Sequence, residues 1–67
     1  MTRQQVLDLY FMEARAKLID LAAFLDRVER AKGEPDFRWN AFVEAAKHLG
    51  SGQAQRAKTV LLSLSDP

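Results

Sequence analysis

The stretch Leu7-Asp8-Leu9-Tyr10-Phe11-Met12-Glu13-Ala14-Arg15-Ala16-Lys17-Leu18-Ile19-Asp20-Leu21-Ala22-Ala23-Phe24-Leu25-Asp26-Arg27-Val28 decides the fold. In it Leu7, Phe11, Ala14, Leu18, Leu21, Leu25 and Val28 recur at alternating intervals of four and three. That spacing returns a side chain to one face of an α-helix, and here it is sustained for three heptads. Tyr10 and Phe24 widen the stripe, and Ala, Leu, Glu and Arg, all good helix formers, dominate the segment. Strict alternation by two, which a strand would need, is absent.

Working outward, neither glycine nor proline occurs between Met1 and Lys32. One uninterrupted helix of about 30 residues, roughly 45 Å long, is therefore expected. Thr2 and Gln5 have the spacing of a capping box, and Arg30 and Lys32 before Gly33 mark the end. Gly33-Glu34-Pro35-Asp36 reads as a turn that finishes on a good N-cap. A second helix is expected from Phe37 to Leu49, turning Trp39, Phe42, Val43, Ala46 and Leu49 inward. Gly50 closes it and Ser51 is placed to cap a third helix from Gly52 to Leu64, with Ala54, Ala57, Val60, Leu61 and Leu64 inward. The expected fold is all-α in a single domain over residues 1–67: a long N-terminal helix plus a short helical hairpin.

Composition bounds what such a chain can be. Of its 67 residues 48% are apolar, but ten are alanine, so the side chains able to fill a core are few. A chain this short rarely builds a self-sufficient core without a staple. There is no cysteine for a disulfide, and His48 is the single histidine, too few for a Cys/His zinc site. Self-association is the remaining supplement. A compact globule of this length would be roughly 28 Å across, shorter than the first helix, so a hairpin cannot cover all of it. The first helix also carries a second, narrower apolar strip, Met12, Ala16, Ile19 and Ala23, on the side away from the broad stripe. These four residues are the expected interface, in a homo-oligomer that completes a helical bundle or against a larger protein partner. The broad stripe, Leu18 and Leu25 included, is expected to pack against Trp39, Phe42, Val60 and Leu64 of the same chain.

Charge points the same way. The formal net charge is +1, with six basic and five acidic residues through Lys32, so no basic arm or acidic tail exists. Nucleic-acid binders concentrate their basic residues, and this chain does not. No apolar run approaches the length of a membrane span or a signal peptide, so a cytoplasmic protein without a membrane partner is expected.

Several groups invite a chemical role. Glu44 and His48 share one helical face, and together with Glu13 and Asp20 they could hold a metal or small ligand in a bundle completed by dimerisation. One histidine and scattered carboxylates fall short of a ligand set within one chain, so neither metal nor cofactor is expected. Glu13, Lys17, Asp20 and Arg27 form a row at intervals of four, three and seven, and Asp26 and Arg30 are another pair at i,i+4. Both read as solvated ion pairs. Phe37-Arg38-Trp39-Asn40-Ala41-Phe42 gathers three of the six aromatics; a stacking platform is conceivable, but in so small a chain they read as core. Ala46-Lys47-His48-Leu49-Gly50-Ser51 resembles the turn of helix-turn-helix DNA-binding modules over about 20 residues, which would imply a recognition helix in the major groove. The resemblance fails where such modules generally place inward aliphatics, since Arg56 and Thr59 stand there. No nucleophile motif or glycine-rich phosphate loop is present, and the chain does not read as an enzyme. The sequence thus favours a small interaction or assembly module built on its first helix.

Overall fold

The computed structural model describes residues 1–65 and is all-α, with no strand among them. Its helices are α1 (Arg3–Arg30), α2 (Phe37–Lys47) and α3 (Arg56–Leu64), with a single 3₁₀ turn over His48–Gly50. The chain divides into two compact units, Met1–Gly33 and a second beginning at Glu34.

The first unit is α1, 28 residues and so roughly 42 Å long. Its start is the capping box read from Thr2 and Gln5. The Gln5 amide donates to Thr2 Oγ1 at 3.1 Å, and the Thr2 amide donates to Gln5 Oε1 at 2.8 Å. Two of the amide groups left without helical partners in the first turn are thereby satisfied. The helix stops slightly earlier than expected, where Ala31 turns extended (φ −73°, ψ 155°) ahead of Gly33 at φ +106°. Arg27 and Arg30 occupy the last turn, the favourable place for positive charge against the helix dipole.

The second unit is the α2–α3 hairpin. Asp36 caps α2 by accepting from the Arg38 amide at 2.9 Å. At the other end α2 tightens into the 3₁₀ turn two residues before the expected boundary, a common way for a helix to spend its last carbonyls. The third helix begins four residues later than expected, and backbone conformation explains the delay. Gly52 (φ +77°) and Gln55 (φ +63°) both lie in the left-handed region, which no right-handed helix can include. Ser51 does not cap α3. Its hydroxyl donates to the His48 carbonyl at 2.9 Å and accepts from the Gln53 amide at 3.3 Å, pinning the turn instead. No side chain caps α3, whose N-cap is Gln55.

The helices α2 and α3 touch, and the one buried residue among those described is Ala45 of α2, 2% exposed. The inward face of α2 is the expected one except at Leu49, with Ala45 added, whereas on α3 only Val60 of the expected residues is covered. On α2, Trp39, Phe42, Val43 and Ala46 are half-buried around Ala45, whereas Leu49 is exposed. On α3 the half-buried residues are Thr59 and Val60, while Ala57, Leu61 and Leu64 are exposed. Thr59 can take an inward place because its hydroxyl donates to the Gln55 carbonyl at 3.2 Å, so no polar group is left unsatisfied. Two short helices have little surface to bury against each other, and Leu61 and Leu64 stay open.

Gly52 supplies a direct test of the connection. A Cβ there would meet nothing within 4 Å, so steric crowding is no obstacle. Gly52→Ala is nevertheless expected to destabilise the protein by about 1 kcal/mol, the conformational cost of a left-handed residue with a side chain. Urea denaturation followed by Trp39 fluorescence would measure it, and an unchanged midpoint would mean that the turn is not held in this conformation.

Candidate interaction surface

No residue of α1 is buried. Along the broad stripe Leu7 is 51% exposed, Phe11 53% and Leu18 62%, whereas Leu25 and Val28 are half-buried. The expectation that Leu18 would be covered within its own chain is thus corrected: a helix can hide a stripe only against something, and Leu18 has most of its surface open. The narrower strip is open too, with Met12, Ala16, Ile19 and Ala23 all exposed. Exposure alone does not rank the two strips. Breadth does, because the stripe carries leucines and aromatics where the strip carries two alanines, and the free energy released on burial follows apolar area.

The charged groups expected to lie on solvated faces do so. Lys17 Nζ stands 2.7 Å from Glu13 Oε1, and this ion pair holds the Glu13 carboxyl below its usual range, first through the hydrogen bond and then through the charge of Lys17. Among the described residues neither Asp20 nor the Asp26 and Arg30 couple takes part in an ion pair. Near the N-terminus, Gln4 Nε2 donates to Asp8 Oδ1 at 2.9 Å.

The aromatic segment at the start of α2 is divided by the structure. Trp39 and Phe42 are half-buried in the hairpin, as a core reading requires, but Phe37 is 69% exposed. Arg38, which would have to stack beside the rings in a base-binding platform, is instead folded back on Asp36. Its Nε lies 3.1 and 3.0 Å from the two carboxylate oxygens, and its terminal nitrogen lies 2.7 Å from Oδ2. The Asp36 carboxyl is lowered by this side-chain hydrogen bond and then by the Arg38 amide, and Arg38 is raised in turn. The cap carboxylate therefore stays ionised somewhat below the usual aspartate range, and its contribution to α2 is lost only as acid protonates it there.

The metal reading places Glu44 and His48 on neighbouring turns, but the Glu44 carboxylate is taken by Lys47 Nζ at 2.9 Å. Among the described residues no three His, Asp or Glu side chains converge on a point where an ion could sit. His48 instead helps to line a small depression of about 180 Å³ with Ser51, Gln53, Ala54, Arg56 and Thr59. The helix-turn-helix resemblance departs from its motif in a way not foreseen. Eight residues, 48–55, separate α2 from α3, where such modules use a turn of three or four. Of the two residues that stand where such modules carry aliphatics, Arg56 is exposed and Thr59 half-buried. The signal for the longer connection was legible in Gly52, which takes left-handed backbone (φ +77°) after the 3₁₀ turn that ends at Gly50.

No protein-family model matches the chain, and no curated protein or solved structure matches it either. Among the described residues no helix is long and apolar enough to cross a membrane.

Proposed function

We propose that this protein is a small helical assembly module that works through α1, either by self-association or by docking on a larger protein. The observation that supports this most is the open broad stripe. Leu7, Phe11 and Leu18 lie on one face of a 28-residue helix and are each more than half exposed. Contiguous apolar surface of that kind on a water-facing helix marks a site of contact. Met12, Ala16, Ile19 and Ala23 form a second, weaker contact strip on the same helix. The roles of α2 and α3 are to build the hairpin that accompanies it, and no chemistry is assigned to them.

Light scattering on the eluting protein at micromolar concentration tests the reading. Self-association gives a mass above the 7.6 kDa of one chain, with a melting temperature that rises with concentration because subunit binding stabilises the folded state by mass action. Ile19→Asp is expected to lower the affinity while leaving helical circular dichroism in place, since the substituted side chain is hydrated in the free chain. A mass of 7.6 kDa across the whole range removes self-association. An unaltered affinity in Ile19→Asp removes the narrow strip from the surface.

A further inference from the structure

We infer that the broad stripe of α1 is covered by α1 of a second copy of this chain, lying parallel and in register. This rests on the reading of α1 as an assembly surface and adds its occupant and direction. The stripe occupies the a and d positions of a heptad repeat, with Leu18 at a and Leu21 at d. Apolar a and d positions held for three heptads, with charges at five of the eight flanking e and g positions, fit the pattern of a coiled coil.

The flanks select the direction. Counting from Leu18, Asp8, Arg15, Ala22 and Glu29 fall at e, and Arg3, Tyr10, Lys17 and Phe24 fall at g. In a parallel, in-register pair each g residue faces the e residue five positions further along the other helix. Arg3 then meets Asp8 on both sides of the seam, and Tyr10 meets Arg15, a ring beside a guanidinium. Lys17 meets Ala22 and Phe24 meets Glu29, so no like charges oppose each other. The Arg3 and Asp8 contacts also sit on a well-defined stretch of helix, because the capping box holds the first turn and Gln4 orients the Asp8 carboxylate.

Antiparallel arrangements bring e to e and g to g, and none is as favourable. With the helices fully overlapped, Arg15 faces its own copy and Lys17 faces its own copy. Sliding one heptad toward the C-termini sets Asp8 against Glu29 twice. Sliding one heptad the other way pairs Asp8 with Arg15 but strands Leu25 and Val28 beyond the seam.

The absence of cysteine makes the test clean. In the parallel pair Leu7→Cys chains face each other at the same height and are expected to form an interchain disulfide in a glutathione buffer. In the fully overlapped antiparallel pair the same two positions are roughly 27 Å apart, too far to join. An equimolar mixture of Leu7→Cys and Leu25→Cys chains is expected to give 7–7 and 25–25 products. A dominant 7–25 product overturns the parallel arrangement and leaves self-association standing. A light-scattering mass of two chains with no 7–7 product also overturns it, and a mass of one chain overturns both readings. Independently, Arg3→Glu is expected to weaken association about tenfold at low salt, and adding Asp8→Arg to recover most of that loss. Equal weakening in the double variant would count against the pairing.

Discussion

Leu18→Asp is expected to reduce the assembled protein to single chains of 7.6 kDa. Leu18 sits at the middle of the broad stripe, with Leu7 and Phe11 on one side of it and Leu25 and Val28 on the other. In an isolated chain it is 62% exposed, so a carboxylate at that position can be hydrated and costs the free helix little. In the assembled seam the same carboxylate loses its water and faces apolar side chains. Removing a charge from water without a partner costs about 3 kcal/mol or more, which raises a dissociation constant more than a hundredfold. The loss should exceed that in Ile19→Asp, because Ile19 follows Leu18 at a b position, outside the a and d seam. Sedimentation equilibrium of the two variants at matched concentrations would compare them. A Leu18→Asp protein that still sediments as the wild type does would exclude the stripe from any contact between copies.

Ala45→Asp is the second large effect, and it acts on the hairpin. Ala45 of α2 is 2% exposed, the one buried residue among those described. A carboxylate there has neither space nor a partner, and the expected cost is again about 3 kcal/mol or more. A hairpin whose interior is one alanine ringed by half-buried side chains has little reserve against that loss, so the variant should lose the hairpin outright. The emission of Trp39, the protein's single tryptophan, should shift to that of an exposed indole without added denaturant. Ala45→Leu, which keeps apolar character but adds volume at a buried position, should cost about 1–3 kcal/mol by overpacking. If Ala45→Asp retained native Trp39 emission and a native urea midpoint, the residue would not be buried.

The helices were legible in the sequence to the extent that local signals specified them. Thr2 and Gln5 form the capping box their spacing implied, and Asp36 caps α2. The reading went astray where backbone conformation outweighed side-chain pattern. Gly52 was taken as the opening residue of α3, yet its left-handed conformation, with that of Gln55, moves the helix start to Arg56. The inward face of α2 was legible too, since Trp39, Phe42, Val43 and Ala46 are half-buried as their spacing implies. That of α3 was not: Thr59 is half-buried with its hydroxyl on the Gln55 carbonyl, while Leu61 and Leu64 are exposed. For α1 the periodicity marked a helix with two apolar strips, and what it could not specify was coverage. A seven-residue repeat has the same form whether its complement lies in the same chain or in another.

If copies pair through α1 as proposed, the protein's lifetime is tied to its abundance. Helices in water draw most of their stability from packing, and α1 buries none of its residues. In a lone chain its backbone therefore opens and recloses readily, exposing Arg15, Lys17, Arg27 and Arg30 to cleavage by proteases that cut after basic residues. In the proposed pair two such substrates are removed at once, and degradation would fall on the unpaired fraction, which shrinks as concentration rises, so the steady level of the protein is expected to respond to its synthesis rate more than proportionally.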